Sequence, residues 1–461
     1  MSISTQQHLP FPATDVFDWF SRPGAFERLA PPWQPVHILS EAASLRDGEA
    51  VLRMPLGLRW VARHRPEGFR AGERFEDRPA AAGPRSWPLS LLPWEHIHEV
   101  MDDGAGGCVV SDRVTTPIPA VALRDMFDYR HRQLDDDLRA HARARRAGWE
   151  SRTIAVTGAS GLVGTALSAF LSTGGHRVLR LVRRQATRPD EIEWDPHQPD
   201  PRTLEGVEAV VHLAGEGIAG RFTHEHVRRV RESRVEPTRA LARAAERAGV
   251  STFVCASAIG FYGADRGDEL LAEDATSPSA PRELLAGIVR EWEAAAANAG
   301  GQMRVVNVRT GLVQSAAGGG LALIRRLGTL GLAGPLGPGT QWQSWISADD
   351  LVEVYHRALW DESLVGPVNA VAPHPVRQRD YARTLASVLH RPGVFPTPAW
   401  GPEIIFGSDG ARELVLASQR VDDAALRARA HEFRFTDLES ALRHTLGRAR
   451  PAPGNPSPPG R

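Results

Sequence analysis

The stretch "ASAIGFYG", residues 256–263, contains a serine and a tyrosine that could act together on a carbonyl group. Ser257 and Tyr262 follow the apolar run "TFVC", which is typical of a buried strand. Beside a nucleotide cofactor, a serine hydroxyl can polarise a carbonyl oxygen and a tyrosine can deliver a proton to it. We therefore take Ser257 and Tyr262 as the candidate catalytic residues.

Residues 153–164, "TIAVTGASGLVG", carry the most specific pattern in the chain. A short β-branched strand is followed by three glycines and then by a helical stretch. The first glycine permits a tight turn, the second lets the backbone approach a pyrophosphate, and the third allows close helix–strand packing. The pattern predicts a dinucleotide site formed by Gly158, Ala159, Ser160, Gly161, Leu162, Val163 and Gly164.

The end of the second predicted strand, "HRVLRLVRR", bears on the choice of cofactor. An acidic residue there would bind the ribose 2′-hydroxyl and select NAD. This chain has Arg183 and Arg184 instead, and guanidinium groups suit a 2′-phosphate. The sequence favours NADP, and the alternative is that both arginines are simply solvated.

Further cofactor contacts are predicted where later strands end. Glu216 could meet ribose hydroxyls or start a helix, and Asp195 could bind the adenine amine or cap a turn before Pro196. Arg221 and Arg234 are also expected to face the cleft. Besides the glycine loop and the two arginines, the predicted cofactor-binding residues are thus Asp195, Leu213, Ala214, Gly215, Glu216 and Arg221.

The elements that must position these residues alternate along the chain. Strand-like runs at "TIAVT", "HRVLRLV", "EAVVHLA", "STFVCASA" and "MRVVNV" are separated by helical stretches. This alternation predicts an α/β fold with a doubly wound parallel sheet, whose ligand lies at the carboxyl ends of the strands.

Residues 153 to about 448 resemble the extended short-chain dehydrogenase/reductase superfamily, and within it the epimerase-like branch with a small C-terminal domain of unknown function. The matching segments span nearly the whole region and include "TGASGLVG", "HLAGEGIAGRF", "ESRVEPT", "ASAIGFYG", "REWEAAA", "VRTGLV", "LGPGTQWQSWISADDLV" and "SQRV". The resemblance implies a Rossmann fold, a nicotinamide cofactor and a small-molecule substrate.

The chain departs from the superfamily at the catalytic dyad. In that superfamily, the tyrosine of a Tyr-x-x-x-Lys motif is the acid/base, and the lysine lowers its pKa. Aligning "REWE" puts Leu284 and Ile288 at those two positions, and the chain contains no lysine. Ser257 matches the superfamily's serine. Tyr262 could then donate a proton, with an arginine lowering its pKa, or could form an aromatic wall against the nicotinamide.

Before this region, short strand-like runs separated by Gly, Asp and Pro precede an amphipathic helix from Val121 to about Arg146. The order resembles the START-like helix-grip superfamily of cyclase/dehydrase type, which implies an apolar ligand in a cavity.

His96 and His98 would share one face of a strand, as a metal pair could. No third ligand of the right type stands nearby in the sequence, so no metal is expected.

The predicted organisation is a START-like domain at 1–148, an NADP-binding Rossmann domain at 152–390, a small C-terminal domain at 391–448 and a disordered tail at 449–461. The 55 basic and 55 acidic residues balance, so no net field recruits nucleic acid. No apolar run could span a membrane, and the two cysteines suggest no disulfide framework, so a cytoplasmic location is expected.

Three functions stay open from the sequence. The chain could be an NADP-dependent oxidoreductase or epimerase with an atypical proton donor and an unknown substrate. It could be a non-catalytic NADP-binding sensor or ligand carrier, which the missing dyad favours. It could also be a two-domain enzyme whose first domain delivers an apolar substrate to the second.

Overall fold

The computed structural model describes residues 2–280, 282–297, 301–329, 334–392 and 400–448. These residues form two compact units, one made of 2–145, 172–175 and 443–448, the other of 146–171 and 176–442. The tail at 449–461 lies outside the described residues. Within the described part of the chain, no helix is long and apolar enough to cross a membrane.

The first unit is a seven-stranded antiparallel sheet with one long helix. Its strands follow the order β1-β7-β6-β5-β4-β3-β2 across the sheet. The elements are β1 (Ser2–Leu9), α1 (Ala13–Ser21), α2 (Ala25–Leu29), β2 (His37–Ser40), β3 (Glu49–Arg53), β4 (Arg59–His64), β5 (Arg74–Pro79), α3 (Trp87–Ser90), β6 (Glu95–Asp102), β7 (Cys108–Thr115) and α4 (Ala120–Arg146).

Side chains of α1 and α4 cover part of this sheet. Helix α1 buries Val16, Phe17 and Phe20, whose spacing is that of one helical face. They pack in one apolar cluster with Leu134 and Leu138 of α4. Along the chain, one strand and two short helices precede four strands, a further short helix, two strands and the long helix.

The second unit contains a seven-stranded parallel sheet and its helices. Its elements are β8 (Thr153–Thr157), α5 (Leu162–Thr173), β9 (Arg177–Val182), β10 (Glu191–Glu193), β11 (Ala209–His212), α6 (His224–Glu232), α7 (Val235–Arg247), β12 (Thr252–Ala258), β13 (Asp265–Leu271), α8 (Leu284–Ala297), β14 (Arg304–Thr310), β15 (Leu312–Gln314), α9 (Gly319–Thr329), β16 (Trp342–Gln343), β17 (Trp345–Ser347), α10 (Ala348–Trp360), β18 (Gly366–Ala370), β19 (Val376–Arg377), α11 (Gln378–Leu389), α12 (Trp400–Gly410), β20 (Ser418–Val421), α13 (Ala424–Arg427) and α14 (Leu438–Thr445).

The order of the parallel strands is that of a Rossmann fold. Across the sheet they run β10-β9-β8-β11-β12-β14-β18, so the chain leaves β8 in one direction and returns to its other side at β11. Ligands of open α/β sheets bind outside the carboxyl ends of the strands at such a switch point. The predicted parallel α/β fold of this region is confirmed.

Residues beyond the sheet fold back against the same unit. Strand β20 pairs in parallel with β13, so Ser418–Val421 lies beside Asp265–Leu271. The Glu413 carboxylate accepts hydrogen bonds from the backbone amides of Leu284 and Leu285 at the start of α8. A carboxylate there satisfies amides that have no partner within the helix.

A buried histidine joins three elements beneath the switch point. Thr157 Oγ1 accepts from the amides of Leu213 and Ala214, so its own proton points to His212 Nδ1, 2.8 Å away. The other ring nitrogen of His212 lies 3.0 Å from Thr238 Oγ1. Burial lowers the pKa of His212 to about 3, so the ring is neutral.

His212 makes folding stability depend on pH. Its pKa is about 3 in the folded chain and about 6.5 in the unfolded chain, so the unfolded state binds the extra proton between these values. This contribution is complete above about pH 6.5 and falls on acidification by about 1.4 kcal/mol per pH unit. From pH 7.5 to 5.5, the melting temperature of His212→Gln should fall less than that of the parent chain. The exposed-site control His224→Gln should follow the parent, and parallel curves for all three proteins would contradict the assignment.

Candidate functional site

The glycine loop lies at the carboxyl end of β8 and leads into α5. Gly158 has φ +66°, and a Cβ atom there would lie 2.8 Å from the Leu213 carbonyl carbon. A Cβ atom at Gly164 would lie 2.8 Å from Ala159 Cα. Gly158 therefore adopts the backbone conformation of the tight turn and lets the loop approach the segment after β11. Gly164 lets α5 pack closely against the loop, as expected.

The loop presents backbone rather than side chains at the start of α5. Ser160 and Gly161 are exposed, whereas Ala159 and Gly164 are buried. The first turn of α5 contains no acidic residue. Unpaired amides and the positive end of the helix dipole make such a helix start suitable for a phosphate group. A Cβ atom at Gly161 would lie 3.3 Å from the backbone oxygen of Gly158, and the predicted approach of this glycine to a pyrophosphate stays a prediction.

The two arginines after β9 differ in their partners. Arg184 is held in a bidentate ion pair by Glu191 of β10, with N–O distances of 2.5 and 2.9 Å. The hydrogen bonds from Arg184 and from Thr187 hold the pKa of Glu191 at about 2. Arg183 is exposed beside this pair. The structure therefore makes Arg183 the more available of the two guanidinium groups for a 2′-phosphate.

Six other predicted positions follow β10 and β11 along the chain. Asp195 is exposed, and its Oδ1 accepts from the amide of His197, which is the turn-capping role. Glu216 is exposed, and its amide donates to Ser233 Oγ. Arg221 is exposed and donates to the Ile404 carbonyl. Leu213, Ala214 and Gly215 form the backbone between β11 and Glu216.

Arg234 was expected to face the cleft but is buried. Its Nη1 donates to the Val230 carbonyl, and its guanidinium lies 5.1 Å from the centre of the Trp292 ring. Burial lowers its pKa to about 10, and the charge of Glu216 only partly opposes this. A Cβ atom at Gly215 would lie 3.0 Å from the Arg234 Cζ, so Gly215 lets the backbone pass close to this group.

Ser257, near the end of β12, is hydrogen-bonded to a carboxylate that sequence analysis missed. Its hydroxyl donates to Glu293 Oε1 of α8 at 2.5 Å. Arg309, the residue paired with Ser257 on β14, donates to both oxygens of Glu293 at 2.8 and 2.9 Å. Both partners of this ion pair are nearly inaccessible to solvent. A charged residue closing the apolar run "VVNV" is the one sequence signal that could have identified Arg309.

Tyr262 lies in the turn after β12 and is fully buried. Its hydroxyl donates to Asn369 Oδ1 at 2.7 Å and accepts from Arg309 Nη1 at 2.9 Å. Burial raises the pKa of the phenol above its usual value of 10, although the charge of Arg309 acts in the opposite direction. A phenol with this environment is a poor proton donor at neutral pH.

The two positions aligned with the superfamily dyad carry apolar side chains on α8. Leu284 begins the helix and is partly buried, and Ile288 is buried. Ile288 can neither carry the charge that a lysine would bring nor donate a hydrogen bond. The cation that contacts the Tyr262 hydroxyl is therefore Arg309, which is itself neutralised by Glu293.

The first unit encloses a separate cavity of about 550 Å³. Pockets for small molecules fall in the range of about 300–1,000 Å³. Most of its lining is apolar and includes Leu29 of α2, Leu52 of β3, Trp60 of β4, Trp94 before β6, and Leu123 and Met126 of α4. One part of the wall is polar and carries His64, Asp77, His96, His98 and Arg130.

This polar wall corrects the expectation that His96 and His98 lack further ligands nearby. Asp77 on β5 is the register partner of His96, and Asp112 on β7 is the register partner of His98. All four side chains are buried. Burial lowers the pKa of His98 to about 3. Burial alone would raise the pKa of Asp112, but His98 and two other histidines hold it well below its usual range.

Comparison with known proteins identifies the class to which the chain belongs. Residues 154–369 match the NAD dependent epimerase/dehydratase family, and residues 397–445 match a domain of unknown function, DUF1731. The epimerase family protein Mb2239 of Mycobacterium bovis is 37% identical over 299 residues, covering 64% of this chain and 98% of its own length. The chain therefore belongs to the NAD dependent epimerase/dehydratase family.

Two solved structures resemble this chain over different extents. The nucleoside-diphosphate sugar epimerase from Corynebacterium glutamicum is 41% identical with a TM-score of 0.82, covering 96% of this chain and 90% of its own. Human epimerase family protein SDR39U1, solved with NADPH, is 30% identical with a TM-score of 0.59, covering 64% of this chain and 99% of its own. A structural relative with a TM-score of 0.51, MoeE5, holds NAD at 22% identity, which shows the shared fold alone.

The different environments of Arg183 and Arg184 predict a specific effect on cofactor preference. Arg183→Ser should weaken NADPH binding at least about tenfold and leave NADH binding unchanged, because a charge-assisted bond to the 2′-phosphate is lost. Arg183→Asp with Arg184→Ser should reverse the preference. Fluorescence titration at one salt concentration measures both affinities.

The matched control is Arg202→Ser. Arg202 is also exposed, and it pairs with Asp200 in the segment between β10 and β11. The NADPH-to-NADH ratio should not change in this variant. Equal affinities for the two cofactors in the parent chain would contradict the assignment.

Proposed function

We propose that the second unit binds NADP(H) and that the chain is an NADP(H)-dependent oxidoreductase or epimerase of a small molecule. One observation carries this proposal. The glycine loop and the Ser257–Glu293–Arg309 group both lie at the carboxyl ends of strands in the same parallel sheet. Strand β12 is two positions from β8, which corresponds to about 10 Å at the usual strand spacing. A dinucleotide bound at the loop would reach that distance along the edge.

The residues present fit the cofactor. Exposed backbone at Ser160 and Gly161 would hold the pyrophosphate at the start of α5, and Arg183 would bind the 2′-phosphate. The NADPH held by the human relative supports the phosphorylated form. When bound, the nicotinamide would exchange a hydride with the substrate. Leu213 to Glu216 would line the ribose. Asp195 would contribute indirectly, by capping the turn that it forms with His197.

Ser257 and Glu293 are the groups that would handle the substrate proton. The Ser257 hydroxyl already donates its proton to Glu293, so its oxygen can accept one from a substrate hydroxyl. Transfer of the substrate proton to Ser257 Oγ, with the serine proton passing to Glu293, moves one proton and leaves the serine neutral. Arg309 fixes the carboxylate in place, so we treat it as a positioning residue.

Tyr262 would line the site rather than donate a proton. Both hydrogen-bonding functions of its hydroxyl are used by Asn369 and Arg309. This favours the aromatic-wall interpretation of "ASAIGFYG" over the proton-donor interpretation.

A second candidate is a non-catalytic NADP(H)-binding sensor or ligand carrier. It is favoured by the apolar residues Leu284 and Ile288 at the dyad positions and by the burial of Ser257 and Tyr262. Such a protein would retain the cofactor site without turning over a substrate.

For the first unit, we propose a START-like helix-grip domain that holds an apolar small molecule. The antiparallel sheet, helix α4 and the mainly apolar cavity of about 550 Å³ support this proposal. We also propose a cytoplasmic location, because the buried thiols of Cys108 and Cys255 are both unpaired. The first unit could then supply a substrate to the second.

The catalytic proposal predicts opposite results for two variants assayed for NADPH oxidation with a panel of carbonyl compounds. Ser257→Ala should reduce turnover about 10²–10⁴-fold, with NADPH affinity unchanged, because it removes the group that contacts the reacting oxygen. Tyr262→Phe should reduce turnover less than about tenfold and mainly lower stability, since Asn369 and Arg309 each lose a partner.

Ser251→Ala is the matched control, since Ser251 precedes the same strand at its other end and donates to the Glu208 carbonyl. Loss of turnover in Tyr262→Phe but not in Ser257→Ala would contradict the proposed roles. A parent chain that binds NADPH but reduces none of the compounds, together with a Leu284→Tyr/Ile288→Lys variant that does, would favour the non-catalytic candidate.

The cavity predicts that the full chain binds an apolar fluorophore with an increase in emission. Ala50→Trp should reduce this binding by filling the cavity, because Ala50 of β3 lies in its wall. The control is Val121→Trp, because Val121 is exposed. A control at a buried sheet residue such as Ala209 would disturb the fold. Equal binding by Ala50→Trp and Val121→Trp would contradict the cavity as the binding place.

A further inference from the structure

The polar wall of the first unit's cavity brings two histidines and two aspartates together on three adjacent strands. His96 and His98 lie on β6, between Asp77 on β5 and Asp112 on β7. The imidazole rings of the two histidines are 3.8 Å apart, centre to centre. None of these residues belongs to the cofactor site of the second unit.

Asp112 orients both histidines from one side. His96 Nε2 lies 3.0 Å from Asp112 Oδ1, and His98 Nδ1 lies 2.7 Å from the same oxygen. His131 of α4 contacts the other oxygen, Oδ2, at 3.3 Å. An ionised carboxylate only accepts hydrogen bonds, so the protons in the His96 and His131 bonds belong to the histidines.

On the other side of the two rings, one carboxylate oxygen faces both histidines. A neutral imidazole that donates through one nitrogen has a bare lone pair on the other, so the bond from His96 Nε2 leaves a lone pair on His96 Nδ1. His96 Nδ1 lies 3.6 Å from Asp77 Oδ2, and His98 Nε2 lies 4.0 Å from the same oxygen. A cation among these three atoms would therefore meet two ring nitrogens and one carboxylate oxygen.

We propose that Asp77, His96 and His98 bind a divalent first-row transition metal such as Zn²⁺, Co²⁺ or Fe²⁺. The three ligand atoms all lie within 4.8 Å of one another, and two ligands of a tetrahedral zinc ion are about 3.4 Å apart. Small side-chain movements would complete the site. Two imidazoles and one carboxylate are a donor set that suits these metals rather than Mg²⁺ or Ca²⁺.

Asp112 has the role that a second carboxylate plays behind metal-bound histidines. It accepts the Nε2–H of His96, which fixes the tautomer that directs the Nδ1 lone pair of that ring to the metal, and it contacts His98 Nδ1 at 2.7 Å. We therefore treat Asp112 as a positioning residue.

The site would be open on the cavity side, since Asp77, His96 and His98 all line it. Arg130 lies in the same wall. With neutral histidines, its positive charge and the two negative charges of Asp77 and Asp112 give the cluster a net charge of −1. A divalent metal changes that sum to +1. The open position should thus favour an anionic oxygen, such as the carboxylate or enolate group of a molecule whose apolar part fills the cavity.

Titration of the metal-free full chain with Co²⁺ tests the proposal, because a bound Co²⁺ ion with nitrogen and oxygen ligands absorbs visible light. We expect one Co²⁺ per chain, displaced by Zn²⁺ and unaffected by Mg²⁺. Asp77→Asn and His98→Gln should abolish the absorption. Asp112→Asn should weaken Co²⁺ binding about 10–100-fold while keeping the spectrum, which a merely structural role would not predict. His8→Gln, an exposed histidine on β1 of the same sheet, is the matched control and should bind like the parent.

X-ray absorption of the Zn²⁺-loaded parent chain gives a test that needs no variant, and it should show two imidazole ligands. Absence of Co²⁺ absorption in the parent would overturn the proposal. A proton on Asp77, rather than a metal ion, would then lie between the carboxylate and the imidazoles. Equal Co²⁺ binding by His98→Gln and His8→Gln would also overturn it. NADPH affinity, measured in the same samples, reports separately on the second unit.

Discussion

The buried ion pair between Arg309 and Glu293 is the interaction on which the candidate catalytic region depends. One guanidinium holds Glu293 through two hydrogen bonds, donates to the Tyr262 hydroxyl and to the Glu273 carbonyl, and lies 3.5 Å over the Phe261 ring. It thereby ties β14 to α8 and to the turn after β12. Removing one partner of a buried pair typically costs about 3–5 kcal/mol, because the other charge is left uncompensated.

The same pair explains why the loss of a lysine matters chemically. In the superfamily that the sequence resembles, a free ammonium group lowers the pKa of the catalytic tyrosine. Here the positive charge nearest the phenol is already neutralised by Glu293, and burial raises the pKa of Tyr262. The chemistry that remains at this edge is that of a serine hydroxyl facing a fixed carboxylate. Two glycines allow the cofactor loop to pack at the same edge through backbone contacts alone.

The sequence predicted most of the second unit, because its signals are local. Glycine spacing, β-branched runs and helical periodicity each act within a few residues, and they located the strands around Gly158, Arg183 and Ser257. It could not predict pairings made across the fold. Glu191 binds Arg184, Glu293 binds Ser257, and Asp77 lies opposite His96, and each pairing depends on strand register or helix rotation. The position of Arg234 has the same origin, since no local pattern predicts that its guanidinium lies 5.1 Å from the centre of the Trp292 ring.

Binding of NADP(H) on the glycine loop of the second unit is the proposal from which the proposed chemistry follows. Native mass spectrometry of the full chain, after incubation with equal amounts of NADPH and NADH, tests it most directly. We expect one NADP(H) per chain, and no dinucleotide on a Gly164→Val variant, whose side chain would collide with the loop backbone at Gly158 and Ala159. Retention of NAD(H) instead, or of no dinucleotide by the parent chain, would contradict it.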